Sequence, residues 1–141
     1  MKILLANLTK MVNDTGGLSK VTIAFANEMQ RRGHTVNFVY EDIQIGDFYY
    51  SLNENVGAYD LCHYDGKSIS MPLLYKMKRE ILRTFNKRKA RGVNDEFTKN
   101  YLLDNLKSML VRTEPEVIVS FQPAASKALL IDLKTDIPVI T

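Results

Sequence analysis

Apolar and polar positions in this chain alternate between short and long periods. Ile3-Leu4-Leu5-Ala6 is a continuous apolar run, Asn7 to Thr15 is polar and flexible, and Gly16-Gly17 follows. After the glycines, Leu18, Val21, Phe25 and Met29 recur at intervals of three or four, the spacing of one helix face. Arg31 and Arg32 suit the negative end of a helix dipole, and Gly33 can adopt the left-handed conformation that ends a helix. From His34 to Tyr40 the period becomes two, with Val36, Phe38 and Tyr40 alternating against Thr35, Asn37 and Val39. The pattern predicts a strand, a loop, a helix and a second strand, which is a βαβ unit.

Ile43 to Ser70 is irregular and rich in aromatics, with a short third strand expected within Val56 to His63. Ser70 and Pro72 signal a helix start, and Leu74, Met77, Ile81 and Phe85 give that helix an apolar face. Arg91-Gly92 reads as a break. Asn94 or Asp95 then caps another helix, with Leu102, Leu106, Met109 and Leu110 as its buried face. These two helices form a long excursion off the sheet. Glu116 to Phe121 is nearly all apolar, as expected of a strand in the middle of a parallel sheet covered on both faces. A helix over Ala124–Leu133, with Ala125, Leu129 and Leu133 toward the sheet, leads to Ile137–Thr141, a fifth strand beginning. The expected class is α/β: a Rossmann-like open parallel sheet with helices on both faces, one domain over residues 1–141, belonging to a longer protein.

Composition adds little until charge is located. With 141 residues, 45% of them hydrophobic, the chain has material for one core. One cysteine, Cys62, excludes an intramolecular disulfide and fits a reducing compartment. The apolar start is too short for a signal-peptide core, no run spans a bilayer, and the chain reads as cytoplasmic, peripheral to the inner face of a membrane. Lys76, Lys78, Arg79, Arg83, Lys87, Arg88, Lys89 and Arg91 face one acid, Glu80. That segment therefore carries +7, which leaves −4 for the remainder of a chain whose net charge is +3. Such a helix is either a solvated face or an attraction to an anionic membrane or a phosphorylated substrate. Nucleic acid fits poorly, because only Phe85 interleaves the cations.

The candidate chemistry sits at strand ends. Gly16-Gly17 either makes a turn or lets a phosphate approach free N–H groups at a helix start. Glu41-Asp42, at the end of the second strand, is where a dinucleotide fold holds ribose hydroxyls. No G-x-G-x-x-G precedes it, so these acids read as a solvated strand end. His63 beside Cys62 lacks a second ligand pair, and no metal site is expected; His34 sits in a turn. Ser120, Phe121 and Gln122 end the apolar strand at the edge where open α/β sheets place ligands.

The order of the strand Lys2–Ala6, Gly16-Gly17-Leu18-Ser19-Lys20, Ala26-Asn27-Glu28-Met29 and Arg32-Gly33-His34-Thr35-Val36 resembles the start of family 4 glycosyltransferases of the GT-B fold. Phe48-Tyr49 with Leu52-Asn53 and Val56, Pro115 to Phe121, and Ile137-Pro138-Val139-Ile140 extend the resemblance over most of the chain. Gly57 to Asn94 contributes little to it.

The resemblance implies the N-terminal, acceptor-binding half of a retaining enzyme that moves a sugar from a nucleotide-sugar co-substrate to a glycan or lipid-linked acceptor, without a further cofactor. The donor-binding domain is absent from these 141 residues, so the chain alone is expected to be inactive. Gly16, Gly17, Ser19 and Lys20 would lie by the donor diphosphate, and Ser120, Phe121 and Gln122 would border the acceptor cleft. Many relatives carry a histidine where Val119-Ser120-Phe121 stands, and no catalytic residue is assigned. The alternatives are a non-catalytic binding module for a phosphorylated small molecule and, third, a nicotinamide-dependent oxidoreductase.

Overall fold

Ile3-Leu4-Leu5-Ala6 lies in the middle strand of the sheet, paired on both sides. The computed structural model describes the whole chain, Met1–Thr141. In it β1 (Lys2–Asn7) runs parallel to β2 (Thr35–Tyr40) on one side and to β4 (Val117–Ser120) on the other. β3 (Gly57–Asp60) and β5 (Val139–Ile140) extend the sheet, giving the order β3-β2-β1-β4-β5, all parallel. This is a Rossmann-like open α/β sheet. In register, Ala6 stands between Val39 and Ser120.

Strand alternation sends β1 into two cores. Ile3 and Leu5 join Met11, Ile23, Ala26, Val36 and Phe38 on one face, under α1 (Gly17–Arg31). Leu4 and Ala6 join Val39, Phe97, Leu106, Met109, Ile118 and Leu129 on the other. No helix links β2 to β3. Instead the connection lays Phe48, Tyr50 and Leu52 on the α1 side, with the Phe48 ring 5.4 Å from Phe38 and 5.3 Å from Tyr40.

The second face is covered after an excursion through α2 (Leu73–Phe85), α3 (Lys87–Phe97) and α4 (Leu103–Thr113). A π-helical turn, Thr98–Leu102, joins α3 to α4. After β4 comes the short helix α5 (Pro123–Lys127), continued by a second π-helical turn, Ala128–Asp132. Leu102, Leu106, Met109 and Leu110 are buried as expected, as are Ala125 and Leu129.

One expectation needs correction, and two helix faces take a definite surrounding. The break between the excursion's helices falls at Asn86, whose Oδ1 accepts from the backbone N–H of Arg88 (3.0 Å) and Lys89 (3.1 Å); Gly92, Asn94 and Asp95 lie inside α3. A side chain that satisfies two otherwise free donors outweighs the roughly 1 kcal/mol helix penalty of an interior glycine. On α1 the fully buried residues are Ser19, Thr22, Ile23 and Ala26, while Val21 is 53% exposed. Phe25 and Met29 of the apolar stripe pack at the margin of the same core, so the fully buried face is centred about a quarter turn from the stripe. The apolar face of α2 is bare: this helix buries no residue and meets its surroundings through half-buried Tyr75, Arg79 and Leu82.

Candidate functional site at the C-terminal edge of the sheet

The loop after β1 is pinned from beneath by an acid. Asp42 is buried, and its Oδ2 accepts from the N–H groups of Met11 and Val12, both at 2.9 Å, while its Oδ1 accepts from Gln44 N–H. Its own N–H donates to Asp60 Oδ1 at 3.1 Å. The reading of Asp42 as solvated is therefore overturned: three backbone donors take the place of water. Its neighbour Glu41 receives a hydrogen bond from Thr98 Oγ1 at 2.8 Å, out of the π-helical turn. Burial, with the nearby charges of Asp60 and Asp95 adding to it, pushes the Glu41 carboxyl up to about 7 against the opposing Thr98 hydrogen bond.

Glu41 and Asp42 line a crevice of about 450 Å³ with Thr9, Lys10, Lys76, Arg79 and Asp95. It lies above the C-terminal ends of β1 and β2. A second hollow, about 540 Å³ and more open, lies past the end of β4 and includes Ser120, Phe121, Gln122, Ser126, Lys127 and Leu130. The structure thus brings the three residues at the end of β4 together. Ser120 Oγ lies 2.9 Å from Ser126 Oγ and 3.0 Å from the Gln122 carbonyl that it donates to, and Phe121 packs edge-on against Phe25 at 5.7 Å.

Between these hollows the chain reverses its direction of winding, from β1 to β4, the switch point at which open α/β sheets bind ligands. Two buried polar atoms at the adjoining strand ends lack a partner: Asn7 Oδ1 and Gln122 Nε2. The other end of the Asn7 amide contacts Met11 Sδ at 2.9 Å and Thr22 Oγ1 at 3.3 Å. An unsatisfied buried polar atom costs about 1–3 kcal/mol; Gln122 lines the second hollow, whereas Asn7 is wholly buried beneath the loop after β1.

The glycine pair opens α1 as the pattern indicated, with Gly16 as N-cap and no side-chain cap bond. Ser19 is buried and donates to the Asp14 carboxylate; Lys20 is exposed. A β-carbon on Gly16 would stand 3.0 Å from Asp14 Oδ2. The positive end of α1 already faces a carboxylate, a residue the sequence analysis passed over. Asp14 falls five positions before Ser19, and only the folded loop brings them together.

The basic residues divide. Arg79, Arg83, Lys87 and Arg91 line a groove of about 460 Å³ between α2 and α3, Lys76 borders the neighbouring crevice, and Arg88 and Lys89 are exposed in the first turn of α3. His63 Nδ1 lies 2.6 Å from Asp60 Oδ2. Cys62 is buried, and burial, with the charges of Glu41, Asp60 and Asp42, pushes its thiol up to about 12. No group of three or more His, Cys, Asp or Glu side chains is gathered as a metal cage, and no helix is long and apolar enough to cross a membrane. No family model and no curated protein matches the chain.

Proposed function

We propose that this chain is the acceptor-binding half of a retaining glycosyltransferase, which receives a sugar from a nucleotide-sugar donor held mainly by a second domain and passes it to a glycan or lipid-linked acceptor. One observation carries the reading. The motifs that resemble the family, Gly16-Gly17 after β1 and Ser120-Phe121-Gln122 after β4, lie at the same edge of an all-parallel sheet, beside two buried polar atoms without partners. The polar side chains that line the hollow past β4, Ser120, Gln122 and Ser126, suit a sugar hydroxyl, which donates and accepts at once. On this reading the donor diphosphate approaches Gly16 and Gly17, with Lys20 as an exposed cation beside them, and Asp14 tunes that approach.

The test is an amide-resolved NMR titration of the chain with nucleoside diphosphate sugars and, separately, with short oligosaccharides. Shifts from the first clustered at Gly16–Lys20, and from the second at Ser120–Gln122 and the Leu8–Val12 loop, are the expected result. Absence of both sets, with shifts from simple phosphorylated metabolites instead, would replace this reading with that of a small-molecule binding module.

A further inference from the structure

α2 combines two features that water does not favour. Leu74, Met77, Ile81 and Phe85 fall within an arc of about 80° at helical spacing, and all four are exposed, Phe85 by 84%. Leu73 extends the stripe at 71%. Scattered exposed apolar residues are ordinary, but a contiguous stripe along one helix marks an interaction face. Lys78 borders it on one side. On the other lies Glu80, already paired with Arg79 at 3.1 Å and Arg83 at 3.7 Å.

The hairpin partner of α2 adds charge in an unfavourable place. Lys87, Arg88 and Lys89 occupy the first turn of α3, the positive end of its dipole, and no acid accompanies them there. Cations at that end oppose the helix dipole. None of the three, nor Arg91, has a carboxylate within 4.0 Å, although Lys78 is tied to Glu96 at 3.0 Å. The hairpin therefore offers an apolar stripe and a set of uncompensated cations with no partner inside the fold.

We propose that the α2–α3 hairpin docks on an anionic bilayer surface, α2 lying in the plane of the interface with Leu74, Met77, Ile81 and Phe85 in the acyl boundary and the cations among lipid phosphates. A soluble anion explains the charges but leaves the stripe in water. A second copy of the chain covers the stripe but brings like charges together. An acidic bilayer satisfies both features. The inference stands independently of what the cleft binds.

The chain contains no tryptophan, so Phe85→Trp introduces a single tryptophan on the stripe, excited selectively at the red edge of the absorption away from the tyrosines. Co-sedimentation with vesicles of phosphatidylcholine alone, or mixed two to one with phosphatidylglycerol, measures docking, and tryptophan emission reports insertion. Binding to the mixed vesicles at low salt, weak binding to the neutral ones and a blue shift of the introduced fluorophore's emission are expected. Neutralising Lys87, Arg88 and Lys89 to glutamine should weaken binding on the order of 100-fold, at about fivefold per near-surface cation. Ile81→Asp should weaken it on the order of tenfold or more. All of these positions are exposed, and far-UV circular dichroism verifies the fold. Equal binding to both vesicle types, unshifted emission in the bound state, or no binding at all overturns the proposal. So does a dimer in sedimentation velocity that Ile81→Asp abolishes while vesicle binding is unaffected.

Discussion

Replacing Glu41 by glutamine tests whether the crevice floor is as dry as its geometry indicates. The carboxyl rises from its ordinary value of 4.5 to about 7, chiefly through burial. A group of this kind binds its proton more tightly in the folded state. Below pH 4.5 both states are protonated and stability is unaffected. Between pH 4.5 and 7 the unfolded chain releases the proton first, so stability falls as pH rises, and above 7 the loss levels off at roughly 3 kcal/mol. Glutamine is nearly isosteric, and its Oε1 still accepts from Thr98 Oγ1. Thr98 Oγ1 also lies 3.1 Å from the Asn94 carbonyl, so when Glu41 is neutral its O–H can donate to Thr98 while the Thr98 hydroxyl donates to the Asn94 carbonyl. The assay is urea unfolding of both proteins at half-unit steps from about pH 4 to 8.5. Glu41→Gln should match wild type near pH 4.5 and exceed it by about 2–3 kcal/mol at pH 8. A difference that stays constant across the range would show that Glu41 is hydrated, and the crevice open to water at its base.

Asp42→Ala leaves the buried N–H groups of Met11 and Val12 without an acceptor and should destabilise the fold by about 2–5 kcal/mol, with faster amide exchange at both residues; a loss below about 1 kcal/mol would show that the loop is held by other contacts. Gly57→Ala should destabilise by about 1–3 kcal/mol in thermal unfolding, since its β-carbon would fall 2.2 Å from Asn37 Oδ1 and 2.9 Å from the Tyr59 ring. Asp14→Asn removes the carboxylate at the start of α1 and should raise affinity for pyrophosphate about fivefold by calorimetry, the effect of one unit charge at about 4 Å in water; unchanged affinity would detach the glycine pair from any phosphate role.

Periodicity carried the sheet and most of the helices because runs such as Ile3–Ala6 and Val117–Phe121 state their own environment. It failed where a pattern says that a face is apolar without saying what it meets. Leu74, Met77, Ile81 and Phe85 have the spacing of a core face and stand in solvent. The helix break shows a second limit: Arg91-Gly92 and Asn86 are both stop signals, and only the hairpin geometry selects Asn86. At the site, the strand ends were legible from the chain, including Ser120, Phe121 and Gln122. The roles of Glu41 and Asp42 were not, because each depends on a partner from a distant loop or helix, as Glu41 does on Thr98, 57 residues away, and that of Asp14 was not because only the folded loop turns it back onto Ser19.

The central position of β1 sets a clock on synthesis. Its first flank is filled once β2 emerges, but the second waits for β4, and the backbone N–H of Lys2 finally meets the Glu116 carboxylate 114 residues downstream. At elongation rates of about 5–20 residues per second, the most apolar strand of the nascent chain has an open edge for roughly 6–23 seconds. During that interval Leu4 and Ala6 face the side on which α4 and α5 have yet to form. The burden on cellular holding factors therefore falls on β1, whose residues are among the least accessible in the finished fold.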